Sequence, residues 1–138
     1  MPLKGVISLK RLMCKGKIHR ATVTEANLDY PGSVTIDKEL MIAANIFPYE
    51  MVQITNLRNA ARWKTYAIPG HPGSGTICLN GPPAHLFKEN DVAIILSLGL
   101  FEEGEVLQLK PVVVNVDNEN KITNIHHYDL SEWMSKED

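Results

Sequence analysis

Leu28-Asp29-Tyr30-Pro31-Gly32-Ser33-Val34-Thr35-Ile36-Asp37 is the stretch around which the rest of this chain is arranged. Proline fixes one backbone angle and glycine accepts angles that other residues avoid, so Pro31-Gly32 is a turn signal. The β-branched run Val34-Thr35-Ile36 that follows predicts a strand. Between the two sits Ser33, whose hydroxyl lies near the preceding carbonyl, with no side chain on Gly32 to shield it. A fold that strains this peptide bond lets the hydroxyl attack it and move the acyl group from nitrogen to oxygen. Gly-Ser is also common in ordinary turns, so the pair by itself decides nothing. Its surroundings carry the argument.

On the N-terminal side, residues 1–11 predict a short extension. Residues 12–24 alternate from Ile18 onward and predict a strand or two, with Lys17, His19 and Ala21 on the polar face. Residues 24–28 predict a short helical turn capped by Thr24. On the C-terminal side, residues 37–46 predict the best helix: Asp37 caps it, Leu40, Met41 and Ala44 supply its apolar stripe, and Asn45 ends it. Residues 51–57 and 62–68 predict a hairpin around Arg58-Asn59-Ala60-Ala61. On its second strand Arg62, Lys64 and Tyr66 share one face, and Trp63, Thr65 and Ala67 share the other. Thr65 therefore points away from Tyr66 unless the strand twists or bulges.

Further on, residues 70–75 form a glycine-rich loop that lacks the Gly-Lys-Ser/Thr ending of a phosphate-binding loop. Residues 76–79 predict a strand, and residues 80–87 a turn that Pro82 and Pro83 lead into a short helix. Residues 91–101, nearly all apolar, predict a buried strand. A turn at 102–105 precedes a strand over 109–116, where Pro111 marks an edge or bulge. A last turn at 117–120 leads into a strand at 122–125. Residues 129–138 form a charged tail that carries Leu130, Trp133 and Met134 and suits an appended helix. Many short strands, few helices and frequent turns predict a mainly β fold, a barrel or sandwich. The His126-His127 pair and Asp129 show no recognisable metal-ligand spacing, so no metal is expected.

Composition narrows the class. The 138 residues suit a single domain with a real core, and 44% hydrophobic with 22% charged residues is ordinary for a soluble globular protein. The formal net charge of -2 gives no basic footprint for nucleic acid. No apolar run approaches the roughly 20 residues needed to cross a bilayer. The first residues lack a signal peptide's apolar segment and cleavage site. Cys14 and Cys78 form neither a metal spacing nor a disulfide framework, which suits reduced thiols and a cytoplasmic setting.

Residues 16–24 (Gly-Lys-Ile-His-Arg-Ala-Thr-Val-Thr), Tyr30-Pro31-Gly32-Ser33, Arg62 with Thr65-Tyr66-Ala67-Ile68, and Asn80-Gly81 with Ala84-His85 fall in one order and spacing. In these motifs the chain resembles the pyruvoyl-dependent aspartate 1-decarboxylases, from about Leu12 to Val114. The resemblance implies a double-psi β-barrel over 12–128, between the extension at 1–11 and the tail at 129–138. It implies a homotetramer with active sites between subunits, and L-aspartate decarboxylated to β-alanine on the way to pantothenate.

The chemistry can also be argued independently. Decarboxylation leaves a carbanion beside nitrogen and requires an electron sink. No phosphate cup for pyridoxal phosphate is evident, and a ketone built from the chain would serve. Ser33 attacks the Gly32 carbonyl to give an ester. Loss of the Ser33 α-proton then expels the Gly32 carboxylate, and the dehydroalanine left behind hydrolyses to a pyruvoyl group. The products are chains 1–32 and 33–138. The first step needs strain and a donor to the tetrahedral oxyanion. The resemblance assigns that donor to Thr65 and the returning proton to Tyr66. By the same resemblance Arg62 takes a substrate carboxylate through its planar fork. Lys17 adds positive charge, His19 and Tyr30 shape the pocket, and Asn80 and Gly81 sit close to the pyruvoyl group and substrate. Some members of such a family need a maturation partner.

The chain departs from the family pattern in places. Pro82 and Pro83 stand where alanines are usual and remove two backbone N–H donors. Ala60 stands where glycine is common, and an L-residue at positive φ costs roughly 1 kcal/mol. Pro31 and the N-terminal extension also differ from familiar members and bear on self-cleavage. Two alternatives therefore stay open: a pyruvoyl-dependent decarboxylase of another acidic amino acid, or an unprocessed barrel acting as a binding module.

Overall fold

Two residues, Val23 and Thr24, separate the first two strands, and through them the sheet returns on itself. In the computed structural model, which describes residues 9–134, nine strands follow in order: β1 (Lys10–Thr22), β2 (Glu25–Asn27), β3 (Ser33–Asp37), β4 (Met51–Asn56), β5 (Arg62–Gly70), β6 (Ile77–Asn80), β7 (Val92–Glu102), β8 (Val112–Val116) and β9 (Ile122–His127). Their spatial order is β2-β6-β3-β5-β4-β7-β1-β8-β9. Because β2 continues β1, one end of this order connects to its interior, and the sheet closes into a barrel. Thr24 supports the closure: its N–H donates to the Ile77 carbonyl at 2.8 Å, and its Oγ1 accepts from the Ile77 N–H at 2.9 Å. Parallel pairs β1–β8, β2–β6 and β3–β5 interleave with antiparallel ones, the pattern of a double-psi β-barrel.

Alternation fills the interior. Val34 and Ile36 of β3, Ala67 of β5, Ile77 and Leu79 of β6, Ile54 of β4 and Ile95 of β7 are fully buried. The helix α1 (Lys38–Ala43) forms as the sequence predicts: Asp37 accepts from the Glu39 N–H, and Leu40 and Met41 face the core. Asn45 follows at φ 59°. The same Asp37 carboxylate accepts from the N–H groups of Gly73 and Gly75 at 3.0 and 2.8 Å, which ties the glycine-rich loop to the head of the helix. A single-turn helix, α2 (Glu103–Val106), occupies the turn after β7 and is fixed by a capping box between Glu102 and Glu105.

Four expectations change. Residues 24–28 do not form a helical turn. They enter β2, because hydrogen bonds to β6 satisfy a backbone that an isolated turn would leave open. Ala21 leaves the polar face for the core, since a register shift between Ile18 and Ala21, with Arg20 at φ 63°, moves the alternation by one. β7 is not buried on both faces: Ala93 and Ile95 are covered, while Leu100 is 68% exposed. β1 begins at Lys10, paired with Glu102, so residues 10 and 11 belong to the strand. In the tail, Ser131–Met134 forms a 3-10 turn, and residues 135–138 lie outside the described residues, as do 1–8.

Candidate active site

The outward faces of three neighbouring strands meet at one cavity. Ser33 pairs with Asn80 across β3 and β6, and Thr35 pairs with Cys78. Val34 lies level with Ala67 in the parallel β3–β5 pair, so Ser33 lies level with Tyr66, and Thr35 with Ile68. Residues level in a parallel pair point to the same side. Ser33, Thr35, Tyr66, Ile68, Cys78 and Asn80 line a cavity of about 410 Å³ together with Glu25, Tyr30, Pro31 and Thr76.

Within the cavity Ser33 is only 3% exposed. The Asn80 amide donates from Nδ2 to Ser33 Oγ at 2.9 Å and to Thr35 Oγ1 at 3.1 Å. The Cys78 thiol donates to Asn80 Oδ1 at 3.1 Å, which fixes the amide with its N–H groups toward Ser33. Burial first, and then the nearby Glu25 carboxylate, push the Cys78 thiol up to about 11. The thiol therefore keeps its proton and remains a donor at neutral pH.

Behind Ser33 the backbone is crowded. Gly81 has φ 80°, and a Cβ there would stand 2.9 Å from the Gly32 Cα, the Gly32 nitrogen and the Tyr30 carbonyl oxygen. Glycine at 81 is what lets the turn after β6 lie directly on Gly32. Pro82 Cδ would be 3.7 Å from a Cβ on Gly32, so its ring covers the same junction. Pro82–His85 is a 3-10 turn in which the Ala84 N–H donates to the Gly81 carbonyl. Residues 82–84 consequently leave no free backbone N–H to meet a carboxylate.

Of the residues singled out by the sequence, Tyr30, Ser33, Tyr66 and Asn80 line this cavity, with Gly32 and Gly81 packed behind it. Thr65 lies on the core-facing side of β5, 6% exposed, as alternation required; extending the Val34–Ala67 register by two residues sets it level with Gly32. Arg62 begins β5, four residues or about 13 Å before Tyr66, and does not line the cavity. Lys17 and His19 lie on β1 against β8 and are likewise absent from the lining. Among the cavity's ten lining residues there is no lysine or arginine, and Glu25 is the one carboxylate. His126 and His127 end β9, and no cluster of three or more metal-ligating side chains occurs among the described residues. Thr35, Cys78 and Ile68 join the lining although no motif marks them; each stands two residues along its strand from Ser33, Asn80 or Tyr66, a spacing that alternation puts on the same face.

Fold and site together define a double-psi β-barrel that presents a Gly-Ser junction, with Ser33 buried, to a small cavity of mixed polar and apolar lining. A family model described as aspartate decarboxylase matches residues 9–123. The chain is 54% identical over 118 residues to a protein of Carboxydothermus hydrogenoformans, covering 86% of this chain and 93% of the relative. It is 51% identical over 117 residues to one of Thermoanaerobacter pseudethanolicus (85% and 100%), and 52% identical over 115 residues to one of Listeria monocytogenes (83% and 91%). Each of these relatives bears the name aspartate 1-decarboxylase. The chain belongs to the aspartate decarboxylase family.

Proposed function

We propose that this chain is a self-processing decarboxylase that converts L-aspartate to β-alanine and carbon dioxide, in the biosynthesis of pantothenate. The observation that carries the reading is Ser33, almost fully buried after a glycine yet placed on a cavity wall with the Asn80 amide 2.9 Å from its hydroxyl. Relatives named aspartate 1-decarboxylase at about half identity supply the substrate.

Ser33 Oγ attacks the Gly32 carbonyl carbon, and the C–N bond breaks as the C–O bond forms. Thr65, level with Gly32, serves as donor to the oxyanion of this step. Loss of the Ser33 α-proton expels the Gly32 carboxylate, and water then releases ammonia from the resulting enamine. The pyruvoyl group so formed fits the residues present: the Asn80 amide already points at this position, and its Cys78 partner holds it there. When formed, the group supplies the electron sink that decarboxylation needs. Tyr66 shares the cavity wall, and in this reading it holds the proton returned to the substrate carbon. Tyr30, also in the lining, shapes the pocket.

The substrate's carboxylates require cations that this cavity does not contain within one chain. Arg62 and Lys17, with His19 beside Lys17, fill that need from a neighbouring subunit, which favours the homotetramer with active sites between chains. Pro82 and Pro83 add to the demand, since charge-assisted bonds from backbone donors are worth about 1.5–3 kcal/mol each. The same observation keeps a second reading in view, a different acidic amino acid seated by side chains alone. No helix among the described residues is long and apolar enough to cross a membrane, which is compatible with a cytoplasmic enzyme.

Intact-mass analysis and a denaturing gel test the proposal, with any host maturation partner supplied. Wild-type material should yield fragments 1–32 and 33–138, the second with a blocked terminus, and should release carbon dioxide from aspartate. Ser33→Ala should remain one chain without activity. A wild-type protein that stays uncleaved under these conditions overturns the reading, and cleaved protein inert to aspartate but active on another amino acid selects the second one.

A further inference from the structure

We infer that Tyr49 is a positioning residue for Tyr66, an assignment that rests on the decarboxylase reading above. The two rings stack with centroids 5.6 Å apart and planes inclined by 8°, the offset geometry that aromatic pairs favour. Tyr66 lines the cavity and Tyr49 does not, so Tyr49 backs the Tyr66 ring from outside.

Core packing does not account for this contact, because Tyr49 is 74% exposed. Its backbone sits at φ 69°, a left-handed conformation that asparagine takes readily and a bulky aromatic residue does not. Strain of this kind persists where the surroundings over-determine it, and it clusters at active sites. The surroundings here are specific. The Tyr49 N–H donates to the Ala67 carbonyl at 2.7 Å, and the Ala67 N–H donates to the Glu50 carbonyl at 2.9 Å. Glu50 is itself held by Lys15 at 3.1 Å and by the buried Ser97 hydroxyl. The turn is thus clamped to the residue next to Tyr66, and the Tyr49 ring is laid on the Tyr66 ring. A stacked neighbour restricts rotation about the Tyr66 side-chain torsions and so fixes where its hydroxyl can deliver a proton.

Tyr49→Asn removes the ring while suiting the backbone, and Tyr49→Phe keeps the ring. In Tyr49→Asn the Tyr66 ring resonances should shift in the NMR spectrum as the ring current is lost. Its kcat should fall about 2- to 10-fold with KM unchanged, while cleavage after Gly32 and the melting temperature hold or improve. Tyr49→Phe should restore kcat. Unmoved Tyr66 resonances or an unchanged kcat in Tyr49→Asn overturns the inference, as does a loss of kcat that Tyr49→Phe shares. A parallel loss of melting temperature and cleavage would show a structural role and also overturn it. Wild-type protein that neither cleaves nor decarboxylates removes the functional reading and this inference with it; active wild type with an unaffected Tyr49→Asn variant removes only the inference.

Discussion

His19 carries a buried Nδ1 that meets no hydrogen-bond partner among the described residues. Burial first, and then the charges of Lys17 and Arg20, hold its pKa below the ordinary 6.5. The sign of the consequence follows from proton binding. Below about 6.5 the unfolded chain takes up a proton that the folded chain resists, so stability falls as pH drops from there. Urea unfolding between about pH 7.5 and about pH 5.5 should therefore show a declining free energy, and His19→Gln should flatten that decline. An identical slope in the variant would acquit His19. The residues of the site were unevenly visible in the sequence. Ser33 was marked by the glycine before it, and Asn80, Tyr66 and Tyr30 by the motifs they stand in. Cys78 stands two residues before Asn80 on β6 and Thr35 faces Asn80 from β3; alternation puts each on the site's face, but their bonds to the Asn80 amide are set only by the folded geometry. Tyr49 is invisible in sequence, because nothing local announces either its left-handed backbone or its stack on Tyr66.

At the scale of elements, glycine and hydrogen-bond partners decide what alternation alone could not. Gly16 sits in β1 where the end of α1 crosses it, and a Cβ there would run into the Ala44 carbonyl. The helix cannot retreat easily, since Leu40, Met41 and Ala44 are buried beneath it. Gly16→Ala should cost about 1–3 kcal/mol by overpacking, read by thermal or urea unfolding; a variant as stable as wild type would mean that α1 is free to move. The helix and the β4–β5 hairpin were legible because capping and turn signals are local, and Ala60 does adopt the positive φ, 59°, that its place in the hairpin demands. The bulge at residues 19–21 and the strand at 25–27 were not legible, since both arise from pairing with distant strands. Asp91 likewise reveals its role only in three dimensions. Arg58 bonds its carboxylate at 2.8 and 3.0 Å, Asn56 and the Lys88 N–H add two more bonds, and its pKa falls well below the usual carboxylate range. That lock joins the hairpin to the strand that runs beside it.

At the scale of the whole molecule, one chain leaves much apolar surface uncovered. Leu12 on β1 and Leu100 on β7 are paired neighbours, 65% and 68% exposed, and Ile42 and Phe47 beside the α1 turn are 70% and 74% exposed. Apolar surface of this kind is what the proposed homotetramer would cover. The cavity supplies the complementary observation: it holds Ser33, Tyr66 and Asn80 but no cation, while Arg62 of the same chain stands at the far end of β5. An assembly that brings a neighbour's Arg62 to each Ser33 answers both facts. The test is complementation. Chains carrying Ser33→Ala lack the residue proposed to be processed, and chains carrying Arg62→Ala should cleave yet turn over poorly. Neither homomeric assembly should show wild-type decarboxylation. In mixed assemblies, a site with Ser33 from one chain and Arg62 from its neighbour is intact, and random mixing in equal amounts should restore about a quarter of the wild-type sites. Activity no greater than that of the Arg62→Ala chains alone would place Arg62 and Ser33 of each site on the same chain, and would require the cation to reach the cavity by a movement of β5.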